Sequence, residues 1–361
     1  MPLEDWGWDE RWAAAFSAAA AEAAAAEKSL RPARIVEERR GLFFVVAADG
    51  EYAARVTGAM RHKAGGRGDL PAIGDWAAVE AVPGERATLI RALLPRRTKL
   101  SRQAAGEGVV EQVIGANLDT VFITTALNRD FNPRRLERFL AVGRESGAEP
   151  VLLLNKLDAC PDPAQFLAEA RAIAGGAAVA ALSAKTGTGV ESLSAWIRRG
   201  RTVGFVGASG VGKSTLVNRL LGSDVLAVRE TRARDERGRH TTTHRELFLL
   251  PGGGVLLDTP GMREMKLWDA ERGVAESFEE IEALGPSCRF ADCRHDTEPG
   301  CAVKAAVAAG SVAAARLAAW RKLRSELDAK AARVSPAEKA AEKRRQREMN
   351  KDRRRKPEAG R

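Results

Sequence analysis

The chain has 361 residues, 45% of them hydrophobic, enough to bury a core in each of two or three domains. No apolar run is long enough to span a bilayer. Glu4, Asp5, Asp9 and Glu10 occupy the start, where a secretory leader would be basic and then apolar, so a soluble, cytoplasmic protein with no membrane partner is expected. Net charge is +10 and uneven: residues 335–361 hold eleven Lys/Arg against five Asp/Glu, a net of +6, leaving +4 for the other 334. Such a basic end fits either a polyanionic partner, most often nucleic acid, or a solvated, disordered tail that binds nothing specific.

Residues 1–30 are rich in alanine, and Trp8, Trp12 and Phe16 recur every four residues, on one face of a short helix packed against the body. From 31 to 105 come five β-rich runs, "ARIVEE", "LFFVVAA", "YAARVTG", "WAAVEAV" and "ATLIRALL", several of them separated by turn pairs such as Asp49-Gly50 and Pro83-Gly84. Five short strands in about 70 residues predict a small OB-type β-barrel, a fold that binds RNA or oligosaccharide or serves as a plain scaffold. The basic, glycine-rich "RHKAGGRGD" (Arg61 to Asp69) is either an RNA contact or an ordinary loop.

Between 106 and 270 strands and helices alternate. The apolar runs "TVFITTAL", "PVLLLNK", "AAVAALSA", "TVGFVG" and "GVLLDTPG" suit a mostly parallel sheet buried on both faces, with helices at "PRRLERFLAVGRE" and "PAQFLAEARAIAG". In "LLLNKLD", Asp158 can accept two hydrogen bonds from guanine N1–H and its 2-amino group, which adenine cannot return. Asn155 would bond the base edge or brace the loop, and the Lys156 stem would cover the ring. "SAKTG" would complete the base site through Ser183, the Ala184 amide near the guanine oxygen, and Lys185. Cys160 stands beside this motif as a free thiol.

Next, after a helix expected at "VESLSAWIRR", comes a phosphate-binding loop: Gly207, Ala208, Ser209, Gly210, Val211, Gly212, Lys213 and Ser214, with Thr215 opening the following helix. Its glycines let backbone N–H groups turn toward a phosphate, and the helix N-terminus adds its positive dipole end. Lys213 would reach the β- and γ-phosphates, and Ser214 would ligate Mg²⁺. "GRHTTTHREL" follows, where Thr241, Thr242 and Thr243 are equal candidates for the switch threonine on Mg²⁺. Asp258 in "LLDTPG" would hold Mg²⁺, and the Gly261 amide would sense the γ-phosphate. Met262 occupies the place of the water-orienting glutamine of Ras-like enzymes, so slow intrinsic hydrolysis is expected. His240, another switch residue or a partner could position the water; His240 could equally be an exposed histidine with no role.

Cys288, Cys293, His295 and Cys301 are spaced Cys-x4-Cys-x-His-x5-Cys. Three thiolates and an imidazole suit one tetrahedral, structural Zn²⁺ with no open position. "VAAARLAAWRKLRSELDAKAAR" then reads as an amphipathic helix with Leu317, Trp320, Leu323 and Leu327 on its apolar face.

The order "NKLD", "SAKTG", "GASGVGKS", "GRHTTT", "DTPG" puts the base-reading motifs before the phosphate loop, the reverse of the common GTPase order. With the barrel before it and the cysteine cluster after it, this order resembles the ribosome small-subunit-dependent GTPase A family (RsgA, also called YjeQ). The resemblance covers roughly residues 31–334. It implies a multidomain chain: an N-terminal OB-type barrel (31–105), a circularly permuted P-loop α/β GTPase domain (106–270) and a C-terminal α-helical zinc-binding domain (271–334), between an Ala-rich extension (1–30) and a basic tail (335–361). It also implies GTP/GDP and Mg²⁺ as ligands, and a monomer that binds the small ribosomal subunit and its rRNA, with other assembly factors as further partners. Hydrolysis would be stimulated by the subunit late in its assembly. Alternatives are a non-ribosomal regulatory GTPase and an RNA-binding scaffold for which nucleotide is only a ligand. Because the second switch leads straight into the cysteine-bearing segment, the permuted order is expected to pass switch movement to that segment.

Overall fold

Alternating apolar and polar residues in the first third of the chain build five strands: β1 (Leu30–Arg39), β2 (Leu42–Ala47), β3 (Gly50–Val56), β4 (Trp76–Ala81) and β5 (Ala87–Leu93). A computed structural model of the chain describes residues 1–24, 29–39, 41–103, 111–129, 131–222, 245–258 and 271–333. β1 pairs antiparallel with β2 and β4, β2 with β3, and β4 with β5, while β3 closes the ring on β5 in parallel. The closed ring is the OB-type barrel; closure removes the sheet edges that would otherwise seek a partner. Ile35, Val45, Ala54, Val79 and Ile90 fill its core. Helix α1 (Glu10–Ala24) lays Trp12 on Trp76, with ring centroids 6.2 Å apart, and the preceding Trp8 meets the same ring edge-on at 4.7 Å. Between β3 and β4, helix α2 (Gly58–Lys63) is capped by Thr57, whose Oγ1 accepts the Met60 N–H at 3.3 Å.

A hairpin of β6 (Lys99–Gln103) and β7 (Glu111–Ala116) leads out of the barrel into β8 (Thr120–Ala126), helix α3 (Pro133–Glu145), β9 (Glu149–Asn155), helix α4 (Ala164–Ala174), β10 (Ala178–Ala181) and β11 (Thr202–Val206). Helix α5 (213–222) follows, then β12 (Arg245–Leu249) and β13 (Val255–Asp258). Strands β10, β9, β8, β11 and β13 lie side by side, all parallel, and β12 adds antiparallel at the β13 edge. Residue parity sorts the core. Val121, Ile123, Leu152, Leu154 and Leu257 share a cluster with α3 and α4, whereas Phe122, Leu153, Phe205 and Leu256 share one with α5. A one-residue slip in any strand would exchange these two sets.

The sequence did not announce α2, the β6–β7 hairpin or β12. β12 escaped notice because only Leu247, Phe248 and Leu249 are apolar beside a charged run. The segment "VESLSAWIRR" is not an α-helix: Val190–Ala195 is a 3₁₀ helix. Its serines bond locally, Ser192 Oγ to the Gly189 carbonyl at 2.7 Å and Ser194 Oγ to that of Glu191 at 2.7 Å, which competes with α-helical geometry.

β12 also pairs with β1, at Glu37↔Glu246 and Glu38↔Arg245, so the barrel and the parallel sheet form one hydrogen-bonded surface of 11 strands. Beside that seam Arg34 is buried. Its guanidinium donates to the Trp6 carbonyl and, at 2.8 Å, to Thr202 Oγ1 at the start of β11, and burial pushes its pKa down to about 10.

The C-terminal region is helical: α6 (Glu271–Ser277), α7 (Glu279–Glu282), α8 (Ala302–Ala308) and α9 (Ala314–Arg333). Leu317, Trp320, Leu323 and Leu327 of α9 are all buried, as their spacing predicts. Arg316 clamps this region to α3: it donates to Glu137 at 2.9 Å, to Glu280 and to the Ser277 carbonyl at 2.7 Å, with its guanidinium 4.2 Å over the Phe278 ring. Among the described residues no helix is long and apolar enough to cross a membrane.

Candidate functional site

Ligands of open parallel sheets bind beyond the carboxyl ends of the strands. Here β9 ends at Asn155, β11 at Val206 and β13 at Asp258, and "SAKTG" follows β10, so one edge of the sheet carries all the described nucleotide motifs. β11, between β8 and β13, delivers the phosphate loop at the centre. The loop runs against β8 so closely that a Cβ on Gly207 would strike the Thr124 carbonyl, and its φ of 147° is also one that favours glycine. Lys213 Nζ donates to the carbonyls of Gly207 (2.6 Å) and Ala208 (2.7 Å). Ser209, Gly210, Ser214 and Thr215 are exposed, so the loop and the first turn of α5 open to solvent.

The base-reading residues are brought to the same place. Asn155 is 1% exposed, and its carboxamide is used on both sides: Nδ2 donates to the Val211 carbonyl at 2.8 Å, and Oδ1 accepts the Ala184 N–H at 2.8 Å. Gly212 passes directly over this side chain, since a Cβ there would collide with Asn155 Nδ2. The Ala184 amide, expected beside the guanine oxygen, is therefore engaged with Asn155. Lys156 adopts a left-handed conformation at φ 67°, which turns the chain from β9 into the 3₁₀ turn bearing Asp158. The Asp158 carboxylate is exposed and held by one oxygen, Oδ1, which accepts Ser183 Oγ–H at 2.5 Å; Ser183 Oγ in turn accepts the Thr186 N–H at 3.1 Å. A second carboxylate oxygen is left to meet a paired donor edge.

Sequence reasoning missed Arg219. From α5 it donates to the carbonyls of Ala184 (2.7 Å) and Lys185 (2.6 Å), fixing the base-side loop to the phosphate-loop helix. Its spacing carried a faint signal, one turn and a half after Ser214 on the same helix, but no motif. Asp258 lies half-buried on β13, level with Phe205 of β11 by the register Gly204↔Leu257. His240, Thr241, Thr242, Thr243, Gly261 and Met262 lie outside the described residues.

The cysteine cluster is equally convergent. The ligand atoms of Cys288, Cys293, His295 and Cys301 all fall within 4.8 Å of one another. Cys288 Sγ is 3.9 Å from Cys301 Sγ and 3.5 Å from His295 Nδ1, and Cys301 Sγ is 3.4 Å from that nitrogen. A tetrahedral ion bound at about 2.3 Å from sulfur and about 2.0 Å from nitrogen sets these separations at about 3.8 and about 3.5 Å, so the donor set fits a four-coordinate metal. Desolvation and the neighbouring sulfurs push the Cys293 thiol up to about 11, a cost that a cation among the sulfurs removes. His295 is held by a left-handed backbone (φ 60°) and by packing on Trp320, with ring centroids at 5.0 Å.

The chain as a whole is similar to known proteins. The RsgA GTPase family model matches residues 93–268. A protein of Opitutus terrae named small ribosomal subunit biogenesis GTPase RsgA is 45% identical over 352 residues, covering 95% of this chain and 94% of its own. The crystal structure of YjeQ from Thermotoga maritima superposes with a TM-score of 0.61 at 26% identity, over 83% of this chain and 99% of that one. YloQ, a solved circularly permuted GTPase, shares the fold at a TM-score of 0.61 and 23% identity, over 84% and 96% of the two chains. Identity at this level extends well beyond the nucleotide-binding segment to nearly the full length of both chains, and this chain belongs to the RsgA GTPase family.

Proposed function

We propose that this protein is a GTPase that binds the small ribosomal subunit through its rRNA and hydrolyses GTP late in the assembly of that subunit, at a rate the subunit stimulates. The convergence of Asn155, Ser183, Asp158 and the phosphate loop at one sheet edge carries the reading, and the names of its relatives supply the subunit. Membership of a GTPase family implies a guanine nucleotide and Mg²⁺. In this reading Asp158 selects guanine, Lys156 and Lys185 flank the base, residues 207–215 cradle the phosphates with Lys213 as the mobile cation, and Ser214 and Asp258 serve Mg²⁺. Thr241, Thr242 and Thr243 are the switch candidates, Gly261 meets the γ-phosphate, and His240 is the candidate for placing the water.

Cys288, Cys293, His295 and Cys301 would hold one structural Zn²⁺, whose chemistry there is to cross-link the chain rather than to react. The protein acts as a cytoplasmic monomer, with other assembly factors as further partners. Its working units are an extension (1–30), barrel (31–105), GTPase (106–270), zinc region (271–334) and basic tail (335–361), with hairpin β6–β7 joining the second to the third.

Phosphate release from GTP, measured with and without purified small subunits, tests the proposal. The expected result is slow release that rises at least tenfold with subunits and disappears in Lys213→Ala. Hydrolysis indifferent to subunits would overturn it.

A further inference from the structure

Helices α3 and α9 meet along a groove of about 360 Å³ that shares no lining residue with the nucleotide loops or the cysteine cluster. α3 supplies Arg134, Arg135 and Arg138, α9 supplies Lys322, and Glu137 is the one acid in the lining. That acid is already engaged, because Arg316 holds it at 2.9 Å from outside the groove. Glu326, the other nearby carboxylate, is taken by Arg138 at 2.5 Å, while Arg138 Nε is buried with no hydrogen-bond partner. Arg134 and Lys322 are exposed and, among the described residues, make no hydrogen bond or ion pair, although Arg134 attracts the Glu137 carboxylate at longer range, less than Arg316 does.

The fold thus brings like charges from positions nearly 190 residues apart to one concave surface and leaves two of them exposed without a direct ion pair. That gathering costs repulsion, which a polyanion offsets. The first turn of α3 adds its positive dipole end beside the same groove, where Asn132 accepts the Arg135 N–H at 3.1 Å. Guanidinium forks match phosphate oxygens in pairs, and the floor offers only Ala319 and Leu323 as apolar surface, too little to anchor a protein partner.

We propose that the α3–α9 groove is a contact for the RNA phosphate backbone, with Arg134 and Lys322 as its exposed cations. The proposal rests on the ribosomal reading above and adds the surface that meets the RNA. It is tested with the full chain and the double variant Arg134→Gln/Lys322→Gln, both substitutions being exposed and remote from the nucleotide loops. Binding to purified small subunits, in the presence of a non-hydrolysable GTP analogue, is followed over a series of salt concentrations. The variant should bind about tenfold more weakly near 0.1 M salt, with the slope of log affinity against log salt reduced by roughly 1 to 2. Basal GTP hydrolysis and metal content should be unchanged, and Arg134→Lys, which keeps the charge and loses the fork, should bind between the wild type and the double variant. Wild-type binding with an unchanged double variant overturns the groove and leaves the ribosomal reading standing. No binding by the wild type overturns both. A variant that binds protein-free small-subunit RNA normally but the intact subunit poorly assigns the groove to an acidic protein and overturns the RNA contact.

Discussion

Asn155 belongs to the base-reading motif, yet both ends of its carboxamide are spent on protein backbone, at Val211 and Ala184. The residue therefore acts as a brace that holds the phosphate loop to the base-side loop, and Arg219 repeats the same tie from α5. Asp158 is its opposite: exposed and held by one oxygen only, the arrangement that the proposed base-reading role needs. The two can be separated by experiment. Asn155→Ala should destabilise the nucleotide-free protein by about 1–3 kcal/mol in urea denaturation, because a buried N–H and a buried C=O lose their partner. Asp158→Ala should cost less stability, since only the Ser183 hydroxyl loses a partner, and should weaken GTP binding about a hundredfold, the loss of two hydrogen bonds to a charged acceptor. Unchanged stability in Asn155→Ala would return that residue to base reading alone. The four letters "NKLD" made both positions legible in the sequence. The division of labour was not, since it depends on Val211 and Ala184 arriving from loops 56 and 29 residues away.

At the level of elements, regular structure was legible where burial imposes a period, and illegible where other forces set the conformation. α3 and α9 follow their apolar spacing, as do the barrel strands. The stretch between α7 and α8 has no such period: it contains a short 3₁₀ turn at Gly285–Ser287 and then no helix or strand until Ala302. Within it, backbone bonds such as Arg289 N–H to Gly300 O (3.1 Å) and Cys293 N–H to Phe290 O (3.2 Å) are few. A loop with so little ladder would depend on the proposed metal cross-link, so metal removal should be a local unfolding reaction. Chelation, or Cys301→Ser, should raise hydrogen exchange sharply across residues 285–308 while β8 and β11 keep their protection. Cys301 has a second task that sharpens this expectation: its sulfur caps α8, accepting the Lys304 N–H at 3.4 Å. Exchange in 285–308 that ignores the metal would mean that packing against Trp320 alone holds the loop.

The whole molecule is joined by contacts that no local pattern announces. The β1–β12 pairing turns barrel and parallel sheet into one surface, and its two residue pairs connect segments more than 200 residues apart. β12 and β13 together bracket the nucleotide edge: β12 begins just after the threonine candidates, and β13 ends at Asp258. α6 begins 13 residues beyond Asp258 and packs so closely on α3 that a Cβ on Gly273 would strike the Ala141 carbonyl. Arg316 completes the attachment from α9. Burial raises the Glu137 pKa in spite of this guanidinium, so desolvation outweighs the attraction of the cations around it. A chain permuted in this way follows the proposed second switch with α6, which packs on α3, and the proposed coupling would act through that joint. In the wild type, hydrogen exchange across 271–333 should differ between the GDP-bound state and the state with a non-hydrolysable GTP analogue. Arg316→Ala leaves Glu137 buried without its partner, which should cost about 3–5 kcal/mol at the joint. The variant should therefore show fast exchange in α6 and α9 in both nucleotide states, with nucleotide affinity retained. Identical protection of 271–333 in the two states of the wild type would sever the proposed link between hydrolysis and the C-terminal region, and would leave the permuted order without a mechanical consequence.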